Sequence, residues 1–549
     1  MAAWQAEVGT GTSRAVDYRD LFVKVVAFLT SQHVATVAVN SGGTGYTVGD
    51  MLTLTHAGAY LDARFEVLTV AAGVITSLAR RHVGAFSNRA ASATVSAGGT
   101  GYAIGDVLEV QGGTQREKAK FQVATLSGSA VATVALFETG GAYSATPSNP
   151  ASTTKVGPAA GTGSGCTLTV TYSGAIGTTG LAVTGGTGTG ATVDITLAQT
   201  GWTVDGRNTN SFTHNSLTNE KQVVLKGDAA GLTNKPYVGM VSWTETSGVN
   251  TRYGISLFGM VAHNSGIGFH QSPGISPGIN TSTGVLQDGG GNVLCDENAA
   301  QEMDFWIRAT DRAVFLAHNI NSGAGTTDDG EYMHAHLGYL NSFGTEIENP
   351  YPMLVGASSR AKNIDPSAAS QSISGIAECT GPVTSTPGWH WYRAEDSSWQ
   401  AAENSEALAT NQPRNHVMFP MGQITLIDGG VGPANEIVAF GPVDHWTGYG
   451  STGRASPTLV MYPVPGSTPE TFLFPLTLVA RVSTSLNEVL DTVRGQVDGV
   501  YWCHATANDG TQIANFSEDT VTSDGQRHRV FGNHVHVQRY QYIAVEEAA

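Results

Sequence analysis

The stretch Ser41-Gly42-Gly43-Thr44-Gly45-Tyr46-Thr47-Val48-Gly49-Asp50 returns 56 positions later as Ala97-Gly98-Gly99-Thr100-Gly101-Tyr102-Ala103-Ile104-Gly105-Asp106. The spacing persists through Arg64-Phe65-Glu66-Val67, which matches Lys120-Phe121-Gln122-Val123. Each unit reads as a strand, a glycine-rich turn, a short strand (Met51-Leu52-Thr53-Leu54; Val107-Leu108-Glu109-Val110) and further alternating strands. Consecutive glycines supply the positive φ of a tight turn. The tyrosine is placed to cover the neighbouring unit, and Gly-Asp makes a second turn through an Asx bond. Gly42, Gly43, Gly45, Tyr46 and Asp50 are therefore read as a structural turn, repeated by Gly98, Gly99, Gly101, Tyr102 and Asp106. Gly140-Gly141-Ala142-Tyr143 reads as the opening of a third, degraded copy.

Composition extends this reading to the whole chain. Only 13% of the 549 residues are charged, against a usual share of about 25%. Glycine fills 68 positions, and Thr, Ser, Ala and Val fill much of the rest. Such a mixture disfavours helix and favours short strands joined by tight turns. The expected fold is all-β, with several β-sandwich or β-roll modules and one short amphipathic helix at the N-terminus. That helix begins after Asp17, a candidate N-cap, and places Leu21, Val25 and Phe28 on one face with Phe22, Val26 and Leu29 beside them. So broad an apolar stripe needs a partner surface, and these six residues are the candidate assembly helix.

Four segments follow: 1–33, the helix, expected to pack with the central domain; 34–199, the GGTGY repeats; 200–360, a central β-domain whose aromatics rise from Gly201-Trp202; and 361–549, a C-terminal β-domain. The Ser/Ala/Thr-rich stretch from Asn363 to Pro387 marks the last boundary. A net charge of −17, from 28 basic and 45 acidic residues, repels a phosphate backbone, so nucleic acid is not an expected partner. No apolar run nears the roughly 18–20 residues that cross a bilayer, and the N-terminus lacks the basic-then-apolar pattern of a signal peptide. Cys166, Cys295, Cys379 and Cys503 form no CxxC pair and are expected as free thiols packed like small hydrophobes.

Three segments resemble virion proteins of tailed bacteriophages. The GGTGY-x-x-GD units look like add-on β-modules of tail and baseplate proteins. The helix ending in Phe28-Leu29-Thr30, followed by Gly201-Trp202-Thr203-Val204, Val224-Leu225-Lys226-Gly227, Tyr237-Val238-Gly239, Phe305-Trp306 and Asn349-Pro350-Tyr351-Pro352, is similar to a phage structural family. In that family the helix runs almost directly into the GWTV strand, which implies that residues 34–199 are an insertion. Asp498-Gly499-Val500-Tyr501-Trp502, with Gly525 to Phe531 and a last strand near Tyr542, resembles the family's C-terminal end. The resemblance implies a structural component of the phage tail tip or baseplate, made in the host cytoplasm, with no catalytic residues. It also implies assembly with copies of itself, as a trimer or hexamer, and with other tail proteins; a host surface receptor is a further candidate partner. The helix and central domain are then on the attachment side and the repeats point outward. A receptor-binding fibre or spike, and a capsid-decorating protein, are the alternatives.

Chemistry-bearing patterns are few. His334-Ala335-His336 and His534-Val535-His536 each place two imidazoles on one face of a strand. Three such pairs on a threefold axis would give six nitrogen ligands, an arrangement some trimeric phage fibres resemble. His534 and His536 are thus the candidate metal ligands, weighed against solvated surface histidines. Asp328-Asp329-Gly330-Glu331, and Asp50 with Asp106, are weaker calcium candidates, because too few oxygens converge in a turn. The string Gly185-Gly186-Thr187-Gly188-Thr189-Gly190 lacks the Gly-Lys-Ser/Thr of a phosphate loop. Gly-x-Ser-x-Gly and His-Glu-x-x-His signatures are absent, so no cofactor and no enzyme are expected. The enzyme-class rival is a glycan depolymerase, against which two or three units of this period argue. Trp389, Trp391 and Trp446 could stack on sugars, although core packing is the commoner use of tryptophan.

Overall fold

The computed structural model describes residues 4–7, 14–137, 140–156, 162–206, 213–214, 217–247, 250–263, 269–279, 281, 286, 292–295, 302–320, 332–357, 374–375, 378–379, 389–394, 397–401, 417–418, 472–483, 489–504, 520–523, 525–532 and 541–547. The fold is all-β, with antiparallel sheets and, among the described residues, one α-helix.

Helix α1 spans Tyr18–Thr30. The Asp17 carboxylate caps it by accepting the Arg19 and Asp20 amides at 2.8 and 2.9 Å. Leu21, Phe22, Val25, Val26, Phe28 and Leu29 are buried to within 1% of full cover. They pack between two sheets. One sheet orders the strands Trp202–Gly206, Leu217–Gly227, Tyr237–Ser247, Asn250–Met260 and Asn292–Cys295, and contributes Trp202, Leu225, Met240 and Leu257. The other orders Trp4–Glu7, Met303–Ala309, Ala313–Ile320, Tyr332–Tyr339, Met353–Ala357, Trp389–Arg393 and Ser398–Ala401, and contributes Phe305, Ile307, Leu316 and Leu337. At roughly 1.5–3 kcal/mol per large apolar side chain buried, this contact holds α1 more firmly than helix propensity would.

The second of these sheets is a middle layer. Phe305 and Ile307 face α1, while Trp306, Phe315, Leu354 and Trp391 face a C-terminal sheet through Leu476, Val497, Phe531 and Ile543. That sheet orders Val417–Met418, Phe472–Ser483, Val489–His504, Gln541–Glu546, Gln526–Gly532 and Thr520–Ser523. A sheet covered on both faces loses the alternation of a half-exposed strand, which is why Asp304-Phe305-Trp306-Ile307-Arg308 and Ala313-Val314-Phe315-Leu316-Ala317 read as nearly continuous apolar runs. The middle sheet does not stop at 360: Leu354 pairs with Trp391, and Asn341 pairs across to Gln496 of the C-terminal sheet.

The repeats form two rolled sheets, the second inserted in the chain between the strands Val74–Phe86 and Leu181–Ala182 of the first. The first roll comprises the strands Gln32–Thr44, Met51–Leu54, Ala59–Ala71 and Val74–Phe86, completed by Leu181–Ala182 and Thr189–Gln199. Thr53 and Thr184 exchange amide–carbonyl bonds at 2.7 and 3.0 Å to close it. The second roll comprises Ala90–Thr100, Val107–Val110, Lys120–Ser127, Ala130–Phe137, Ala151–Lys155 and Ser164–Tyr172, in a matching strand order. Each has its own core, around Phe65 in the first and Phe121 in the second. Each also enters and leaves its parent at paired residues: Gln32 faces Gln199, and Ala90 faces Tyr172. Gly140 to Tyr143 is not a third copy. Its segment Ala142–Ala145 pairs with Thr114–Glu117 as a two-stranded ribbon of the second roll.

Candidate functional site

The repeated turn has the same geometry in both rolls. In the first, the Thr47 amide donates to the Asp50 carboxylate at 2.9 Å, and the Asp50 amide returns a bond to the Thr47 carbonyl at 3.2 Å. In the second, Ala103 and Asp106 do the same at 2.9 and 3.1 Å. Gly49 and Gly105 both sit at φ +90°, where only glycine is unstrained, and donate to Val67 and Val123 carbonyls at 2.8 and 2.9 Å. The Asx turn expected from sequence is present in both copies.

The tyrosines do something different from the sequence expectation. Tyr46 and Tyr102 are 3% and 5% exposed and lie over Gly188 and Gly163, where a methyl group would collide with each ring. These glycines belong to the closing part of the same roll, so each tyrosine covers its own unit and not a neighbouring one. The strings Gly186-Thr187-Gly188-Thr189-Gly190 and Thr162-Gly163-Ser164-Gly165 are partners of the GGTGY stretch: Thr189 pairs with Thr44, and Ser164 with Thr100. The glycines therefore serve close strand approach and not phosphate.

The two carboxylates are spent inside the fold. Asp50 also accepts from the Thr187 amide and hydroxyl at 3.0 and 2.7 Å. The Thr47 amide, then Thr187, holds its pKa down at about 2. Asp106 is fully buried against Lys155 at 3.0 Å. Neither carboxylate is left to collect calcium. What the turns do present is an aliphatic side chain at the same position: Val48 is 63% exposed and Ile104 65%.

The histidines need a correction. His334 and His336 are 0% and 1% exposed, between the middle and C-terminal sheets, and are not solvated surface. His334 stacks near Phe315 at 5.9 Å and meets Phe531 edge-on at 6.5 Å. His336 Nδ1 lies 3.0 Å from the Leu354 carbonyl oxygen, and burial pushes its pKa down to about 4. Among the described residues no three His, Cys, Asp or Glu side chains converge as metal ligands. His534, His536 and Asp328 to Glu331 lie outside the described residues. Trp391 is 3% exposed and packs in the core, so it offers no sugar platform; Trp446 and the side chain of Trp389 lie outside the described residues. Cys166 is buried and free, as expected.

Sequence reasoning missed the junction that joins the middle and C-terminal sheets. Arg308, 5% exposed, leaves the apolar run of its strand to lie on Gly499, which sits at φ +64°. Its guanidinium donates to the Asp498 carbonyl and pairs with the Asp498 and Glu546 carboxylates at 3.6 and 3.2 Å. A methyl at Gly499 would occupy the guanidinium's place. The available signal was an arginine inside an otherwise apolar strand, opposite a Gly in a motif that tolerates no side chain there.

Two recesses lie where the rolls meet the rest of the chain. One of about 240 Å³, between α1's end and both rolls, includes Gln32, Ser87, Arg116 and Gln199. Arg116 spans it, donating to Gln199 Oε1 at 2.7 Å and to the Trp202 carbonyl at 2.9 Å. The other, of about 380 Å³, separates the first roll from the C-terminal sheet. Neither is lined by histidine or cysteine. Among the described residues no helix is long and apolar enough to cross a membrane. No protein-family model matches the chain. Comparison with the curated proteins likewise finds no match.

Proposed function

We propose that the chain is a structural subunit of a tailed-phage particle, at the tail tip or baseplate, that assembles with copies of itself and positions contact surfaces. The observation that carries this reading is the pair of rolls whose matched turns hold Val48 and Ile104 outward. The position just before each differs between copies, an exposed Thr47 in one and a half-buried Ala103 in the other. The apolar character of the Val48 position is kept although no packing within the roll requires it. A contact outside the roll is a physical reason to keep it.

The helix wedged between two sheets, and the middle sheet buried on both faces, suit a stiff body that transmits load. Resemblance of the helix, the GWTV strand and the DGVYW strand to phage structural proteins supports the same reading. The work is then mechanical, in three or six copies with other tail proteins, and catalysis is assigned to none of its residues. A receptor-binding tip protein is the second reading, favoured by the outward Val48 and Ile104 turns. Quantitative mass spectrometry of purified particles tests the proposal. A handful of copies per particle is expected; hundreds would indicate head decoration, and absence from the particle would overturn it.

A further inference from the structure

Arg116 stands where the second roll meets the rest of the chain, and only part of its guanidinium is used. Its Nε donates to Gln199 Oε1 at 2.7 Å and its Nη1 to the Trp202 carbonyl at 2.9 Å. Among the described residues Nη2 bonds nothing, and the guanidinium forms no ion pair. In a chain of 45 acidic and 28 basic residues, an arginine without an acidic partner calls for a reason. Burial pushes its pKa down, and Asp228, close enough to be felt but not to pair, supports the charge. A guanidinium drawn partly out of water gains most from an anion at its open edge.

The recess of about 240 Å³ beside Arg116 supplies the remaining groups of such a site. Among the described residues no Asp or Glu lines it. Gln32 and Gln115 line it with side-chain amides that bond no other described residue, and Gln199 keeps its Nε2 unspent. Ser87, 7% exposed, also lines it, with its hydroxyl buried and without a partner. A buried hydroxyl left unbonded is costly unless something meets it. The adjacent end of α1 does not repel an anion. There the Ala27, Phe28 and Leu29 carbonyls already accept the Ser31 hydroxyl, the Ser31 amide and the Thr200 hydroxyl. The volume is below the roughly 300–1,000 Å³ of sites for drug-sized ligands, so the fit is an inorganic anion or one small acid.

We propose that this recess binds a small oxyanion, a carboxylate, sulfate or phosphate group, on the open Nη2 edge of Arg116, with Ser87, Gln115 and Gln199 completing its bonds. Arg116 and Gln115 belong to the Thr114–Glu117 ribbon of the second roll, whereas Gln199 ends a strand of the first and Ser87 follows another. A bound anion therefore ties one roll to the other, and the melting temperature of the chain rises with its concentration. Neither the site nor its test depends on how copies of the chain assemble.

The test uses the full chain. Sodium acetate, sodium sulfate and sodium phosphate are titrated calorimetrically at ionic strength held constant with sodium chloride, against the wild type, Arg116→Gln and Gln115→Leu. Saturable binding of at least one anion is expected, weakened about tenfold or more by Arg116→Gln, the loss of a charged hydrogen bond. Gln115→Leu is expected to weaken it severalfold while melting like the wild type without anion, because that side chain bonds nothing in its own chain. Acetate binding marks a carboxylic acid as the source, and binding of sulfate or phosphate alone marks a tetrahedral anion. A wild type that binds none of the three overturns the site. So does binding that Gln115→Leu keeps at full strength, whatever Arg116→Gln does to the fold.

Discussion

The Arg308 guanidinium fills the space that a side chain at residue 499 would need, at the junction where two sheets dock. Gly499→Ala places a methyl in the guanidinium and forces a side chain into the left-handed region, so it is expected to cost about 2 kcal/mol or more in thermal or urea unfolding. An unchanged midpoint would show that the junction carries no load. The two repeat tyrosines make a finer comparison. Tyr102 accepts the Cys166 amide at 3.2 Å, whereas Tyr46 has no hydroxyl partner among the described residues. Tyr102→Phe is expected to cost about 1 kcal/mol and Tyr46→Phe close to nothing, read from urea midpoints of the two variants. Equal effects would mean that the rings, and not the hydroxyl, do the work. The turn residues themselves were legible from sequence because positive φ and an Asx bond are local requirements. The target of each tyrosine was not, because Gly188 and Gly163 lie far along the chain.

At the scale of elements, α1 was readable from its period and its cap, since both are properties of one short stretch. Its burial between two sheets explains why nearly every face is apolar. Phe22→Ala is expected to cost about 3–5 kcal/mol by leaving a cavity in the core that α1 shares with both sheets. A loss below about 1 kcal/mol would mean that α1 is peripheral. The insertion of the second roll was hidden because Gln32–Thr44 closes on Thr189–Gln199 across the whole second roll. The second repeat, Gly163-Ser164-Gly165-Cys166-Thr167 against Gly188-Thr189-Gly190-Ala191-Thr192, was the signal that would have revealed it. Because Ala90 and Tyr172 are paired neighbours, replacing residues 90–172 by a short Gly-Ser turn is expected to leave the first roll and the sandwich folded. An insoluble product, or loss of a cooperative melt, would contradict the inserted arrangement.

Across the whole molecule, a set of buried imidazoles makes stability depend on pH. Burial lowers the pKa of His33 to about 4, although bonds to the Gly84 and Phe28 carbonyls favour its charged form. Burial lowers His318 to about 3 and His336 and His390 to about 4. In the unfolded chain each returns to about 6.5, so as pH falls below 6.5 the unfolded state takes up protons that the folded state refuses. Their stabilising effect is complete above pH 6.5 and is lost progressively down to about pH 4, at about 1.4 kcal/mol per pH unit for each imidazole. Urea midpoints should fall steadily from pH 7 to pH 5, and a flat profile would place these rings in contact with water. Sequence reasoning weighed His336 and its neighbour His334 as solvated surface because His-x-His in one strand does not disclose a sheet stacked on top. The C-terminal sheet that buries them is contributed by strands more than a hundred residues away.

The assembled particle is where the proposed role is decided, and cryo-electron microscopy of intact virions measures it most directly. Density for this chain at the distal tail, in three or six copies and in contact with other tail proteins, is the expected result. Density spread over the head, or particles that lack the chain altogether, would contradict a tail-tip or baseplate subunit.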